Sequence, residues 1–169
     1  MNLKKVIILG SSRKNGETAK IATELVRISN WDLIDLSDYE ISHFDYNHLN
    51  RNDDFLDIFQ KIVTTYDVLI FATPVYWYAM SGIMKVFFDR MTDLLTIDKV
   101  TGRKLRGKYM AAISSSNGDN LNDDFWLPFK KSAAYLGMTY IGDLHTYNAT
   151  NNSNRIMKFK QIIASKTKI

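Results

Sequence analysis

VIILGSSRKNGET, residues 6–18, changes character twice within a short stretch. Four branched apolar residues, Val6, Ile7, Ile8 and Leu9, break at Gly10 into small polar ones, and a helical pattern sets in after Gly16. The apolar run does not alternate, as expected for a strand covered on both faces of a parallel sheet. The stretch therefore reads as strand, loop and helix, with the strand placed centrally. Ser11, Ser12, Arg13 and Thr18 then fall at the open N-terminus of the helix. Unpaired backbone N–H groups and the positive end of the helix dipole make such a place an anion pocket. The same residues also read as an ordinary solvated turn.

Spacing narrows the choice of anion. Glu17 stands where a nucleoside-triphosphate loop needs a lysine, which argues against ATP or GTP chemistry. Ser12 stands where the dinucleotide fingerprint needs its second glycine for close approach to a pyrophosphate. Hydroxyls and one guanidinium remain, and these suit the terminal dianion of a monophosphate.

Composition sets the outer bounds. With 169 residues, 46% of them hydrophobic, the chain is long enough for one core, so residues 1–169 are expected to form a single domain. It has no cysteine, which excludes disulfides, cysteine-held iron–sulfur clusters and thiolate catalysis. No apolar run approaches the ~20 residues that a membrane span needs, and the N-terminus enters a strand directly, so a soluble cytoplasmic protein without a membrane partner is expected. The net charge of +4 is modest and the lysines are scattered, which argues against a nucleic-acid partner.

Beyond the first loop, residues 17–28 carry Ile21, Leu25 and Ile28 at helical spacing, and 31–36 read as a short strand. Asp35 lies nineteen positions after Gly16, where dinucleotide folds keep a ribose-binding acid, but with the glycine pattern absent it reads as a loop acid. Residues 37–52 are polar and irregular, with His43 and His48 around Asp45 at a spacing that matches no metal motif. A helix over 53–64 through Phe55, Ile58, Phe59 and Ile62 leads into a second buried strand over 67–73. Alternating strands and helices imply right-handed crossovers and an open parallel sheet, with ligands beyond the carboxyl ends of the strands.

Residues 74–82, PVYWYAMSG, are expected to form a loop, because proline cannot donate to a ladder. Tyr76, Trp77 and Tyr78 in that loop call for cover, by a flat ligand or by protein. Ser81 is placed to cap a helix whose apolar side runs through Ile83, Phe87, Met91 and Leu94.

GSSRKNGET after the first strand and TPVYWYAMSGIMKVFFDR after the third together resemble the flavodoxin-like NAD(P)H-dependent FMN reductase and quinone reductase family, across essentially the whole chain. The resemblance implies an α/β fold: a single-domain flavodoxin-like three-layer sandwich with a five-stranded parallel sheet, using FMN and NAD(P)H. It implies that Ser11, Arg13 and Thr18, with the loop amides of Ser12 to Gly16 and so including Asn15, hold the phosphate. Pro74, Val75, Tyr76 and Trp77 would lie along the isoalloxazine, and Ser115, Ser116 and Gly118 would close its pyrimidine side. Glu17 departs from the asparagine that many members carry, so its carboxylate must point away from the phosphate or weaken its binding. A homodimer is also implied, covering Trp77, Tyr78 and Trp126.

The remainder continues the alternation. Residues 96–108 are a basic connection in which Arg103, Lys104 and Arg106 form a solvated turn or, alternatively, meet a nicotinamide cofactor's 2′-phosphate. A strand over 109–114, a loop over 114–120, a helix over 125–136 with Pro128 in its first turn and a strand over 138–147 follow. His145 in that strand reads as a packed or edge residue. After a polar loop at 148–152, containing Asn148-Ala149-Thr150, a last helix runs through Ile156, Phe159 and Ile163. No serine, cysteine or histidine triad is recognisable. The expected activity is hydride transfer from NAD(P)H through FMN to a small-molecule electron acceptor such as a quinone, free flavin, azo or nitro compound. The alternatives are a flavodoxin-type carrier, which would usually be acidic where this chain is basic, and a regulatory descendant without flavin, to which Glu17 points.

Overall fold

The structure, a computed structural model, describes residues 3–147 and 151–167. Strand β1 (Lys5–Leu9) feeds helix α1 (Glu17–Ser29), which returns to β2 (Asp32–Asp35). Helix α2 (Phe55–Thr65) leads to β3 (Val68–Tyr76), a two-residue β4 (Ala79–Met80) and α3 (Gly82–Arg90). Two short helices, α4 (Asp93–Thr96) and α5 (Lys99–Arg103), precede β5 (Tyr109–Ser116), α6 (Leu127–Tyr135), β6 (Thr139–Tyr147) and α7 (Ser153–Lys166).

Five of the strands pair in parallel in the order β2-β1-β3-β5-β6, and β4 adds a sixth, antiparallel to the end of β3. Strand order reverses between β1 and β3, so the switch point lies beyond their carboxyl ends. Alternate strand residues feed two cores. Ile7, Leu9, Ile70, Ala72 and Ile113 pack with Ala22 and Leu25 of α1 and Phe159 and Ile163 of α7. On the other face, Ile8, Leu69, Phe71 and Ala112 pack under α2, α3 and α6. There Phe87 sits 5.4 Å from both Phe55 and Phe59, ring centre to ring centre.

Two expectations from local sequence are corrected. Pro74 does not end its strand: β3 continues to Tyr76. Gly10 N donates to Ala72 O, so Ala72 and, two residues on, Pro74 turn their backbone polar groups toward β1, which has already ended at Leu9. The missing N–H therefore faces a side with no strand to bond. In the same way the helix expected through Leu94 stops at Arg90, and Met91 and Leu94 reach the core from the turn and from α4.

The irregular segment before α2 is anchored by a side chain that the sequence pattern gave no reason to single out. Arg90 is fully buried. Its Nε donates to Asp93 Oδ2 at 2.7 Å, and its Nη1 donates to Asp53 Oδ2 at 2.5 Å and to the Ser42 carbonyl at 3.0 Å. His48 Nδ1 meets the other oxygen of Asp93 at 3.1 Å, and the Phe55 ring lies 4.8 Å from the guanidinium. Burial alone would raise the Asp53 carboxyl, but Arg90 and the amides of Ser42 and Phe55 outweigh it and hold it below the usual range. Arg90→Leu leaves two carboxylates facing each other without their cation, so it should lower unfolding free energy by about 3 to 5 kcal/mol in urea denaturation.

Candidate functional site

Three chain reversals leave the carboxyl ends of β1, β3 and β5, and side chains bind them to one another. Ser81, the N-cap of α3, accepts from Met84 N at 3.1 Å and donates its hydroxyl to the Gly10 carbonyl at 2.6 Å. The second reversal is thus fastened to the first. Gly10 permits this, because a Cβ there would stand 2.9 Å from Met84 Cβ. Thr18 Oγ1 lies 2.6 Å from Ser115 Oγ, both residues being buried, so the first reversal is fastened to the third.

In the first reversal Ser11 is buried and its hydroxyl accepts from Arg13 N at 3.3 Å, shaping the turn. Ser12, Arg13, Lys14 and Asn15 are exposed. Gly16 enters α1 with extended backbone and has no side chain to cap it, which leaves the amides of the helix's first turn to an outside acceptor. Glu17, whose orientation the sequence left open, is paired with Lys20 at 2.5 Å on the exposed side of α1. Thr18 and Ser115 have two hydroxyl hydrogens between them. One is used in their mutual bond and the other can serve an anion.

The second reversal is a hairpin rather than the open loop expected. Val75 pairs with Met80 and Tyr76 with Ala79, leaving a two-residue turn. Trp77 has φ 50° and Tyr78 φ 61°, the mark of a type I′ turn, which favours asparagine and glycine. Both aromatics are held outward: Trp77 is 95% exposed and Tyr78 65%. Pro74 and Val75 are half-buried below them.

In the third, Ser115 and Ser116 belong to the end of β5, and the chain turns only afterwards. Ser116 donates to the Gly118 carbonyl at 2.7 Å. His145 Nδ1 lies 2.8 Å from Ser114 Oγ, and His145 Nε2 lies 3.2 Å from Ser116 Oγ. This is the packed role read for His145, now against the site. Burial pushes its imidazole below the ordinary range, Arg155 adds to that, and Gly118, Asp119 and Ser114 oppose it.

Other expected residues lie elsewhere. Arg103 ends α5, and the turn through Arg106 leads into the start of β5, at the sheet edge opposite the three reversals, so the alternative role at a nicotinamide 2′-phosphate is not supported. Trp126 needs no second subunit to cover it: it is buried, with Phe125 edge-on at 4.9 Å. Asp35 accepts from Ser37 N at 2.9 Å as the cap of a short helical turn. Asn148-Ala149-Thr150 lies outside the described residues.

The profile of the NADPH-dependent FMN reductase family matches residues 3–151. The chain belongs to that family. The putative NAD(P)H-dependent FMN-containing oxidoreductase YwqN of Bacillus subtilis is 25% identical, over 99% of this chain and 96% of its own. Among solved structures, the Trp repressor binding protein of B. subtilis superposes with a TM-score of 0.65 at 23% identity, covering 97% of this chain and 96% of that one. An FMN-dependent NADH-azoreductase of Bacillus anthracis, solved with FMN, gives 0.62 at 14% identity, with 97% of each chain covered. At such identities the two structures speak for the flavodoxin-like fold alone.

An aromatic residue held in the left-handed region costs about 1 to 2 kcal/mol. Tyr78→Gly should therefore raise stability by about 0.5 to 1 kcal/mol, after the entropy cost of glycine in the unfolded chain. Urea denaturation midpoints of the two proteins check this.

Proposed function

We propose that residues 1–169 form one FMN-binding domain that carries hydride from NAD(P)H through FMN to a small-molecule acceptor: a quinone, a free flavin, or an azo or nitro compound. The observation that carries the reading is the Thr18–Ser115 hydrogen bond, which brings an uncapped helix N-terminus and the end of β5 together at the sheet's switch point. The residues there fit a flavin mononucleotide. Within the loop of Ser12 to Gly16 the amides of Arg13 and Gly16 are spent on Ser11 Oγ and the Arg13 carbonyl. Those of Ser12, Lys14 and Asn15 and of the first turn of α1, the spare hydroxyl hydrogen of Thr18 and Ser115, and the exposed Arg13 and Asn15 side chains supply donors for a dianion. Ser11 contributes by fixing the turn. Glu17, paired with Lys20, does not oppose the phosphate.

Pro74, Val75, Tyr76 and Trp77 offer a backbone rail and aromatic faces to the isoalloxazine, and Ser115, Ser116 and Gly118 flank its pyrimidine edge. Bound FMN accepts hydride and releases one or two electrons, which is chemistry that no side chain of this protein has to perform. The protein's part is to orient the ring, keep one face open and direct backbone N–H groups of the third reversal toward developing negative charge. A cytoplasmic setting goes with a need for reduced nicotinamide. A homodimer goes with the exposed Trp77 and Tyr78 and with an apolar groove of about 480 Å³ between α3 and α6, lined by Phe88, Met91, Leu95, Tyr135 and Leu136.

Anaerobic mixing with FMN and then NADH or NADPH tests the activity. Loss of the flavin band, restored by added quinone, is the expected result. Flavin that binds without being reduced would indicate a carrier, and no binding would indicate a protein that has dropped the cofactor. Arg13→Ala should weaken FMN by about 1.5 to 3 kcal/mol in a fluorescence titration, the range for a charged hydrogen bond.

A further inference from the structure

The imidazole of His145 is inserted between the end of β5 and the turn that follows it. Ser114 is wholly buried, and its hydroxyl lies 2.8 Å from His145 Nδ1. On the other side of the ring, Nε2 lies 3.2 Å from Ser116 Oγ and 3.4 Å from the Gly118 carbonyl. Ser116 spends its own hydrogen on that same carbonyl. The roles that satisfy every group are those of the neutral ring: Nδ1 accepts from Ser114, and Nε2–H donates to Ser116 and Gly118. Gly118 thus receives two donors, and the turn is closed from behind.

We propose that His145 is a positioning residue for the flavin, holding the Ser116–Gly118 turn in the shape that receives the pyrimidine edge and linking that shape, through Ser115 and Thr18, to the phosphate seat. This rests on the FMN reading above. Its consequence is a dependence on pH that belongs to the protein rather than to the cofactor. A second proton on the ring has to sit on Nδ1, where it meets the hydrogen that Ser114 gives. Ser114 must then turn its hydrogen away inside the core; Nε2–H still donates, but a ring that moves to relieve the clash at Nδ1 carries the Ser116–Gly118 turn with it. Burial already disfavours that proton and Arg155 adds to the effect, while the charge of Asp119 and the backbone carbonyls of Gly118 and Ser114, as distinct from the Ser114 hydroxyl, work against it. Arg155 Nη1 donates to the His145 carbonyl at 3.2 Å, the Tyr147 ring centre lies 6.1 Å away, and Asp143 and Lys158 line the same groove.

If only the neutral ring supports the turn, flavin binding and protonation of His145 oppose each other, and the opposition is reciprocal. A tenfold preference of FMN for the neutral ring corresponds to a fall of about one in the His145 pKa when FMN binds. Two measurements read this. Histidine NMR of the wild-type protein is followed from pH 8 to 4.5 with and without FMN, with His43→Gln and His48→Gln identifying the other two signals. FMN affinity is measured by fluorescence over the same range for wild type, His145→Gln and Ser114→Ala. The phosphate's own titration is common to all three and cancels in the ratios.

The expected result is a His145 pKa lowered by FMN, and a wild-type affinity that falls about tenfold more toward acid pH than that of His145→Gln. An unchanged His145 pKa on binding, or the same pH dependence in wild type and variants, overturns the inference while leaving the FMN reading intact. Wild-type protein that binds no FMN at pH 7.5 overturns both. Should His145→Gln fail to fold, the wild-type NMR shift decides alone.

Discussion

A hydroxyl–hydroxyl contact, Thr18 to Ser115, joins the first and third of the three turns into one rim. Parallel strands necessarily deliver their loops to a common edge, but nothing in that geometry fixes how the loops stand relative to each other. Thr18 belongs to the first turn of α1 and Ser115 to the end of β5, with β3 between the two strands. Their bond ties the helix that follows β1 to a strand two places along the sheet. Ser81, reaching the Gly10 carbonyl, does the same for the middle reversal. Because the groups involved are buried, water does not compete for these bonds, and leaving any of them unmade carries a desolvation cost. A rim held in this way is shaped in advance of any ligand, so little ordering has to accompany binding.

Stability and strain are distributed in a way that fits this arrangement. The face under α2 and α3 is dense with Phe55, Phe59, Phe71 and Phe87, and beside it Arg90 gathers Asp53, Asp93 and the Ser42 carbonyl. Together they hold the irregular segment between β2 and α2 against the body of the fold. The hairpin tip is the opposite case. Trp77 and Tyr78 occupy a backbone region that suits asparagine and glycine, and they put large apolar rings into solvent. Neither feature helps the isolated chain to fold. Both are tolerated because the surrounding pairing of β3 with β4 and β5 determines the turn.

Much of the architecture was legible along the chain, for reasons that are local. Unalternated apolar runs at residues 6–9 and 67–73 announced doubly covered strands, and three- and four-residue spacing announced the helices between them. The capping role of Ser81 and the pairing of motif with loop were visible because they depend on neighbours a few residues away. Element ends were harder. β3 outlasts Pro74 because β1 stops first, and the proline itself carries no record of that. Trp126 looked like surface in need of cover because its burial depends on Phe125 and Phe129 meeting it in the second core.

What the sequence by itself determined is the kind of molecule this is: an α/β sheet whose first βα turn lacks the lysine of a triphosphate loop, in a chain with no thiol to offer. Residue type and spacing suffice for that, since backbone sterics, hydrophobic periodicity and helix-end chemistry act over a turn or two of chain. Only the tertiary structure decided which side chains meet. Arg90 and Asp53 are far apart in sequence, as are Thr18 and Ser115, and Ser114 and His145. The partner that makes each group affordable to bury arrives from another strand or helix. The place of His145 behind the third turn follows from those meetings and from nothing nearer, whereas the direction of Glu17 is set within its own helix by Lys20.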